Sequence, residues 1–350
     1  MHDLSRRDFL HASVLGGLAA LAGPNLTRQG FAWESTPATP SRRVSLTHGD
    51  DRVQNTFESL KPFQEEIRRA IGNKRVILKP NNVLNDVPLC ATHADCLEGV
   101  LEFLKSIGKT DVAIAESASD GPAMEGFDHY GYIKLAGKYQ AKLIDLDQEP
   151  IERIYACDET DFRPHAIRVA KTLLDPANFI ISAAKLKTHD RVVVTLSLKN
   201  IVVGAPIKDR GFRWDDRCRA GAKTDKPLTH GSGFRAANYN LFALSARLHP
   251  HLAVIDGYQG MEGEGPVDGT PVEHRVAVAS LDWLAADRVA VELMGIDFAK
   301  VGYLNFCGQG GMGEIDLKKI EIVGEPLERH IKTYHLAKNI SEQLIWRTPI

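Results

Sequence analysis

Apolar, β-branched runs alternate along this chain with segments whose apolar residues recur at helical spacing. Runs that predict strands begin at Arg75 (RVILKP), Asp111 (DVAIAES) and Ala141 (AKLIDL), and segments that predict helices span Val53–Ile71 and Ala94–Ile107. Strand, helix and strand in turn is the pattern of βαβ units, which build parallel sheets. We therefore predict an α/β fold in which a mainly parallel sheet is flanked by helices, either as one unit or as two α/β halves.

The rest of the chain carries a second set of such elements. Strands are predicted at Val44–Thr47 and in the runs NFIISAAKL, HLAVIDG, HRVAVAS and KIEIVGE, and helices at Asn238–Leu248 and Trp283–Met294. The helix Ala94–Ile107 has the clearest ends, because Thr92 and Asp95 fit a capping box and Gly108 fits a stop signal.

The amino terminus has the pattern of an export signal. SRRDFL, with Arg6 and Arg7, precedes the eleven uncharged residues Ala12–Ala22, which are fewer than the roughly 20 needed to span a bilayer. This resembles a twin-arginine signal. Cleavage after Ala22 or Ala32 fits equally, and no later stretch is apolar enough to span a membrane. We expect the twin-arginine machinery to export the mature chain to the periplasm.

The boundaries follow from this signal. Residues 1–32 are predicted to be the signal peptide, and the Pro/Ser/Thr-rich residues 33–43 a linker. Residues 44–350 are then the folded α/β domain.

Charge and cysteine content exclude several classes of function. The chain has 43 Lys and Arg against 45 Asp and Glu, so no basic surplus is available to bind nucleic acid. Five cysteines without a C-x-x-C pair give no iron–sulfur motif. Cys90 and Cys96 either pair after export or remain buried thiols, and the sequence leaves this open.

Polar or glycine-rich segments follow four of the predicted strands. They are KPNN (Lys79, Asn81, Asn82), Glu116 with Ser117, KLKTH (Lys185, Lys187, His189), and the loop from Asp256 through Gly263 and Gly265 to Gly269. In open α/β sheets, ligands bind beyond the carboxyl ends of the strands. We therefore expect Lys79, Glu116, Lys185 and Gly263 to lie around one cleft at one edge of the sheet.

The lysines in AAKLKTHDRVVVTLSLKN interrupt one of the most apolar stretches of the chain. In a strand, Lys185 and Lys187 share one side and Leu186 takes the other. The chain after Arg191 fits either a helix, which would present Lys199 and Asn200, or a strand. Because a buried ammonium is costly unless it is paired, the lysines face solvent or an anion. We favour the anion.

The acidic residues of the glycine-rich loop leave two interpretations open. Asp256, Glu262, Glu264 and Asp268 supply oxygen ligands suited to a divalent cation, or they are solvated loop carboxylates. The glycines of GMEGEGP let backbone N–H groups approach a ligand. No cofactor is identified by the sequence.

Five segments carry a resemblance to a known family. KPNN, THADCLEGVLEFLKSIG, AKLKTHDRVVVTLSLKNIVVGA, DGYQGMEGEGPVDG and DWLAADRVAVELMG, in this order, resemble the exported branch of domain-of-unknown-function family 362. Some of its members carry ferredoxin-like cysteine clusters, which this sequence lacks. The resemblance implies the fold and the site placement but supplies no reaction.

These observations predict an exported enzyme that acts on a small anionic substrate carrying phosphate or carboxylate. Lys79, Asn81, Asn82, Lys187, Lys199, Asn200, Gly263 and Gly265 are the predicted binding residues, and His189, Lys185, Glu116 and Glu262 the predicted catalytic ones. His189 would transfer a proton with Glu116 or Glu262 as its counterpart, or a lysine crowded by other cations would be the nucleophile. The alternative is a non-catalytic exported protein that binds or matures a metal or cofactor.

Replacing Arg6 and Arg7 together by lysine is predicted to retain the precursor in the cytoplasm, because lysine lacks the planar guanidinium of the recognised pair. Fractionation followed by immunoblotting measures this. The single variant Arg28→Lys, outside the pair, should be exported normally. Normal export of the double variant would rule out a twin-arginine signal.

Overall fold

The apolar runs of the chain form one mixed, mostly parallel sheet in the computed structural model, which describes residues 42–348. The predicted signal peptide and all but the last two residues of the predicted linker lie outside the described residues. The described strands are β1 (Arg43–His48), β2 (Arg75–Lys79), β3 (Val112–Glu116), β4 (Lys142–Asp145), β5 (Ile151–Cys157), β6 (Pro164–Ala170), β7 (Asn178–His189), β8 (Val193–Thr195), β9 (Leu252–Glu262), β10 (Thr270–Ser280) and β11 (Glu321–Gly324).

The strand order in this sheet is β11-β1-β10-β9-β7-β2-β3-β4, and the short strand β8 pairs with β7. Along this order β10 alone runs against its neighbours, so β2, β3, β7 and β9 all point the same way. This confirms the predicted α/β fold with a mainly parallel sheet. It also brings the carboxyl ends of four polar-ended strands to one edge.

Helices cover both faces of the sheet. They are α1 (Arg52–Leu60), α2 (Gln64–Ile71), α3 (Ala94–Ser106), α4 (Ala123–His129), α5 (Tyr132–Tyr139), α6 (Ser197–Val202), α7 (Phe234–Ser245), α8 (Trp283–Leu293), α9 (Gly302–Gln309) and α10 (Ile340–Gln343). Strand β2 shows the alternation, since Val76 and Leu78 pack in one apolar cluster with α1–α5 and Ile77 packs in the other with α6–α9. No helix within residues 42–348 is long and apolar enough to span a membrane.

Some local predictions were wrong. The cap of α3 is His93, whose side chain accepts a hydrogen bond from the N–H of Asp95, and the Thr92 capping box does not form. Thr92 instead accepts from Asn81 N–H and donates to Ala183 O, so its hydroxyl joins the segment after β2 to the middle of β7. The antiparallel hairpin of β5 and β6 was not predicted, and both its strands lie off the main sheet.

The chain after Arg191 forms both of the structures that its sequence permits. Strand β8 comes first and the short helix α6 follows it. The first amides of α6 have no partner within the helix, and the carboxylate of Asp287 on α8 accepts from Ser197 N at 2.8 Å and from Leu198 N at 3.1 Å. Asp287 is fully buried, and it fixes the orientation of the helix that carries Lys199 and Asn200.

Replacing Asp287 by alanine is expected to lower the free energy of unfolding by about 2–4 kcal/mol, because two buried amides lose their acceptor. Urea denaturation followed by circular dichroism measures this. Asp297 caps an exposed turn through Ala299 N, so Asp297→Ala is the matched control and should cost about 1 kcal/mol or less. Equal losses in the two variants would contradict the role given to Asp287.

Candidate functional site

A cavity of about 310 Å³ opens at the edge where the parallel strands end. The strand-end residues Lys79 and Glu116 line it together with residues from β7, β8 and α6 and from two later loops. Its volume is at the lower end of the range for small-molecule sites. The cavity therefore fits a small ligand at the position that the fold favours.

A buried ion pair forms the floor of this cavity. Lys79 Nζ lies 2.7 Å from Glu116 Oε1, and both side chains are 1% exposed. Glu116 also accepts from Asn82 N at 2.9 Å and from Ser117 N at 2.8 Å. Burial lowers the pKa of Lys79, while the charge of Glu116 opposes this. Glu116 thus holds the ends of β2 and β3 in register, and its lone pairs are largely occupied.

Helix α6 completes the surroundings of Lys79. The Asn200 side chain accepts from Lys79 Nζ at 3.0 Å and donates to Lys79 O at 3.2 Å. Gly204, just beyond the helix, lies so close that a Cβ there would be 2.2 Å from Lys79 Cε. A glycine is required at this position for the lysine to reach the cavity.

Lys199 and His189 form the second pair in the cavity. Their Nζ and Nε2 atoms are 2.9 Å apart, and both residues are buried. His189 Nδ1 accepts from Arg191 N at 3.0 Å, and Asp190 Oδ1 lies 3.2 Å from the same nitrogen. A neutral ring whose Nδ1 accepts carries its proton on Nε2, so Nε2–H donates to a neutral Lys199 amine.

The electrostatics of the cavity favour that proton distribution. Burial, reinforced by the charge of Lys187, lowers the pKa of Lys199 to about 7. Burial and the charge of Lys199 hold the pKa of His189 well below its ordinary value. Near neutral pH the pair therefore holds an uncharged ring beside a lysine that is close to its titration midpoint.

The cavity lining includes ionisable residues that were not among the predicted site residues, among them Lys226 and His230. Lys226 and His230 lie at the two ends of one turn of 3₁₀ helix, Lys226–His230, and both line the cavity. Lys226 Nζ donates to Pro206 O at 2.8 Å, and burial lowers its pKa to about 7. Burial also lowers the pKa of His230 to about 3. The sequence gives one signal for them, the four-residue spacing in KPLTH.

Unpaired polar atoms are concentrated in this cavity. Nine buried side-chain nitrogen or oxygen atoms within residues 42–348 have no hydrogen-bond partner. Four of them belong to residues that line the cavity: Asn81 Oδ1, Asn82 Nδ2, Thr195 Oγ1 and His230 Nε2. Such atoms are costly to bury without a partner, so their grouping is typical of a binding site.

Comparison with known proteins identifies the family. The family model described as domain of unknown function (DUF362) matches residues 76–292, which include all of the cavity residues described above. The chain belongs to the DUF362 family. It is also similar to thylakoid-associated protein sll1697 of Synechocystis sp. PCC 6803, at 25% identity over 229 residues. That alignment covers 65% of this chain and 65% of the relative, and no solved structure matches the chain.

Some buried lysines of this DUF362 domain line the cavity, whereas Lys185 and Lys187 lie outside it. Lys185 and Lys187 share one side of β7 as predicted, while Leu186 packs in the core of the other face. Lys185 lies 3.8 Å from Asp256, which also pairs with Arg52, and it does not line the cavity. Lys187 donates to Cys90 O at 2.8 Å and is likewise outside the lining.

The glycine-rich loop of the DUF362 domain packs against the end of β7 and the carboxyl-terminal segment. Glu262 accepts from His335 N and Glu264 accepts from Lys338 N, while Gly263 N donates to His335 O at 2.8 Å. A Cβ on Gly265 would lie 2.1 Å from Thr188 O. Of this loop, Pro266 lines the cavity, and Glu262, Gly263 and Gly265 do not. The four predicted strand ends do meet at one edge, but Lys185 and Gly263 lie outside the cavity itself.

Within the described residues of the DUF362 domain, neither the candidate metal ligands nor the cysteines form a second site. Asp256, Glu262 and Glu264 bind different partners, and residues 42–348 contain no group of three His, Cys, Asp or Glu side chains arranged to hold a metal ion. All five cysteines are free thiols in the structure, including Cys90 and Cys96.

The pH dependence of stability tests the two lowered lysine pKa values. In the folded protein Lys199 and Lys226 lose their protons near pH 7, whereas in the unfolded chain they keep them until about 10.5. The unfolded state therefore binds more protons between these limits, so the free energy of unfolding rises with pH there. We predict that Lys199→Met/Lys226→Met removes this rise, at most about 1.4 kcal/mol per pH unit for each lysine.

Urea titrations between pH 7 and 9.5 measure the difference between wild type and the double variant. Lys74 is exposed, so Lys74→Met is the control and should follow the wild-type curve. Below pH 7 both states hold the protons, and the advantage of the double variant should be constant. Parallel wild-type and double-variant curves above pH 7 would show that the two ammonium groups are not penalised by burial.

Proposed function

We propose that this DUF362 protein is an exported enzyme that binds a small phosphate- or carboxylate-bearing substrate in the cavity. The Lys199–His189 pair would transfer protons during the reaction, and Lys226 would hold the anionic group. The twin-arginine pattern at Arg6 and Arg7 supports export.

The observation that carries the proposal is two buried lysines in one cavity without a carboxylate partner. Lys79 is neutralised by Glu116, but neither Lys199 nor Lys226 forms a salt bridge within residues 42–348. Each ammonium group loses hydration on burial, so the charged form of each lysine is destabilised. An anion bound in the cavity beside either ammonium would offset that penalty and raise the pKa of that lysine.

The neutral groups of the cavity supply the directional contacts that a small anion needs. Thr195 Oγ1 and His230 Nε2 have no partner within residues 42–348, and each offers a hydrogen-bonding position. Each contact with a charged oxygen is stronger than a bond between neutral groups. Such a set favours an oxygen-rich anion over an uncharged ligand of the same size.

The Lys199–His189 pair supports catalysis in addition to binding. A general acid or base works best when its pKa is near the working pH, and burial lowers the pKa of Lys199 to about 7. His189 Nε2–H, 2.9 Å from Lys199 Nζ, holds a second exchangeable proton beside that amine. The pair can therefore give or accept a proton without a change of fold.

Sulfate is the probe that tests the anion site, since its charge does not change between pH 5 and 9. We predict that sulfate binds the wild-type mature chain and that Lys199→Met and Lys226→Met each weaken binding about tenfold or more, the cost of one charge-assisted contact. Affinity should be constant below pH 7 and fall above it, because the free lysines then lose their protons. Isothermal titration calorimetry at several pH values measures both effects.

Lys187→Met is the matched control, since Lys187 is fully buried but does not line the cavity. Its loss should change sulfate affinity much less than the loss of Lys226. If wild type fails to bind sulfate from pH 5 to 9, or if both cavity variants bind it as wild type does, the anion site is wrong.

A further inference from the structure

We infer that Lys199 is a nucleophile that forms an imine with an aldehyde or ketone carbon, so that the substrate is a small carbonyl acid. This inference rests on the proposed anion site, because the carboxylate of such a substrate would be held by Lys226. It goes further by naming the reacting atom, Lys199 Nζ, and the bond that it forms.

Geometry distinguishes Lys199 from the other buried lysines of the domain. Lys79 Nζ is engaged by Glu116, Asn200 and Pro80 O, and an ion-paired ammonium has no lone pair to offer. Lys187 and Lys185 lie outside the cavity lining. Lys226 donates to the carbonyls of Pro206 and Gly204, which accept hydrogen bonds and have no proton to supply to a reaction.

The partner of Lys199 is different in kind. Its Nζ faces His189 Nε2 at 2.9 Å, and the backbone N–H of Arg191 occupies the other ring nitrogen. A neutral ring therefore carries its proton on Nε2, and Nε2–H hydrogen-bonds to the lone pair of Lys199 Nζ when that amine is uncharged. A neutral amine inside a small cavity is the form in which lysine attacks carbonyl carbon.

Charges around the pair favour that neutral form. In addition to burial, the cation Lys187 lowers the pKa of Lys199 and the carboxylate of Asp190 opposes this, while Lys187 and Arg191 both lower the pKa of His189. Burial is the largest cause of the lowered pKa of Lys199, and the charge of Lys187 adds to it. His230, the other ring at this end of the cavity, is held neutral by burial.

The step balances without any further reactant. The hydrogen bond from His189 Nε2–H to Nζ first breaks. The Nζ lone pair then forms a bond to the carbonyl carbon, and the electrons of the C=O π bond move to oxygen. His189 Nε2–H donates to that oxygen and takes a proton back from the nitrogen. The oxygen then leaves as water with both amine protons, so the products are the C=N bond and one water, and the imidazole returns to its starting form.

Reductive trapping tests this step. The wild-type mature chain is incubated with glyoxylate and sodium cyanoborohydride at neutral pH, digested, and mapped by mass spectrometry. We expect Lys199 to be modified at least tenfold faster than the exposed Lys74, which is measured in the same digest as an internal reference. Sulfate should slow the reaction at Lys199 and leave Lys74 unchanged.

Variants then assign the roles. Lys199→Arg keeps a cation but has no nucleophilic amine, and it should lose the fast adduct. Lys226→Met should require about tenfold more glyoxylate, because one charge-assisted contact is missing. His189→Gln should slow trapping while leaving sulfate affinity nearly unchanged. Lys187→Met should still form the adduct.

The outcomes separate this inference from the anion site. Sulfate binding without faster modification of Lys199 than of Lys74 overturns imine formation and leaves the anion site standing. Fast modification of Lys199 that sulfate does not slow supports the imine and overturns the placement of the anion. Absence of both effects in the wild-type chain, which needs no variant to fold, overturns both.

Discussion

The buried ion pair between Lys79 and Glu116 is the interaction on which the rest of the site depends. Taking two charges out of water is costly, and the cost is offset only when geometry and further hydrogen bonds are good. Here the 2.7 Å contact is supplemented by Asn200 on α6 and by the amides of Asn82 and Ser117. One pair thereby joins the ends of β2 and β3 to the helix that carries Lys199. Removing either partner would leave an uncompensated charge at the centre of this junction.

The sequence predicts where the site lies in the fold better than it predicts which residues form the site. Period-two runs and helical spacing are local signals, so the parallel sheet and the strand ends at Lys79, Glu116 and His189 could be predicted from them. Lys226 and His230 were missed, because the spacing in KPLTH does not show that this segment reaches the cavity, which depends on long-range packing. Lys185 was misleading for a related reason: alternation gives its side of the strand, but its pairing with Asp256 depends on the register between β7 and β9.

The two groups of buried lysines illustrate how the surroundings decide the chemistry of one residue type. Lys185 is balanced by Asp256, and Lys79 by Glu116, so both act as structural cations. Lys199 and Lys226 have backbone carbonyls or an imidazole as partners, and no carboxylate balances their charge when they are protonated. Ion pairing stabilises the charged form of the first two lysines. For Lys199 and Lys226, the desolvation cost of the ammonium is not offset until an anion binds. The presence or absence of a carboxylate partner therefore separates structural lysines from site lysines, although the formal net charge of the chain is only -2.

The cavity is also lined by Trp214, whose side chain is 58% exposed and whose indole N–H donates to Ser119 O at 3.0 Å. Its backbone N–H donates to Asp120, so the indole is tied to the loop that follows β3. Trp283 is buried in the core, and Trp346 packs against Phe306. An indole that is solvent-exposed and held at the rim of the cavity changes its fluorescence emission when a ligand displaces the water around it. Intrinsic tryptophan fluorescence can therefore report ligand binding in the cavity without an attached dye.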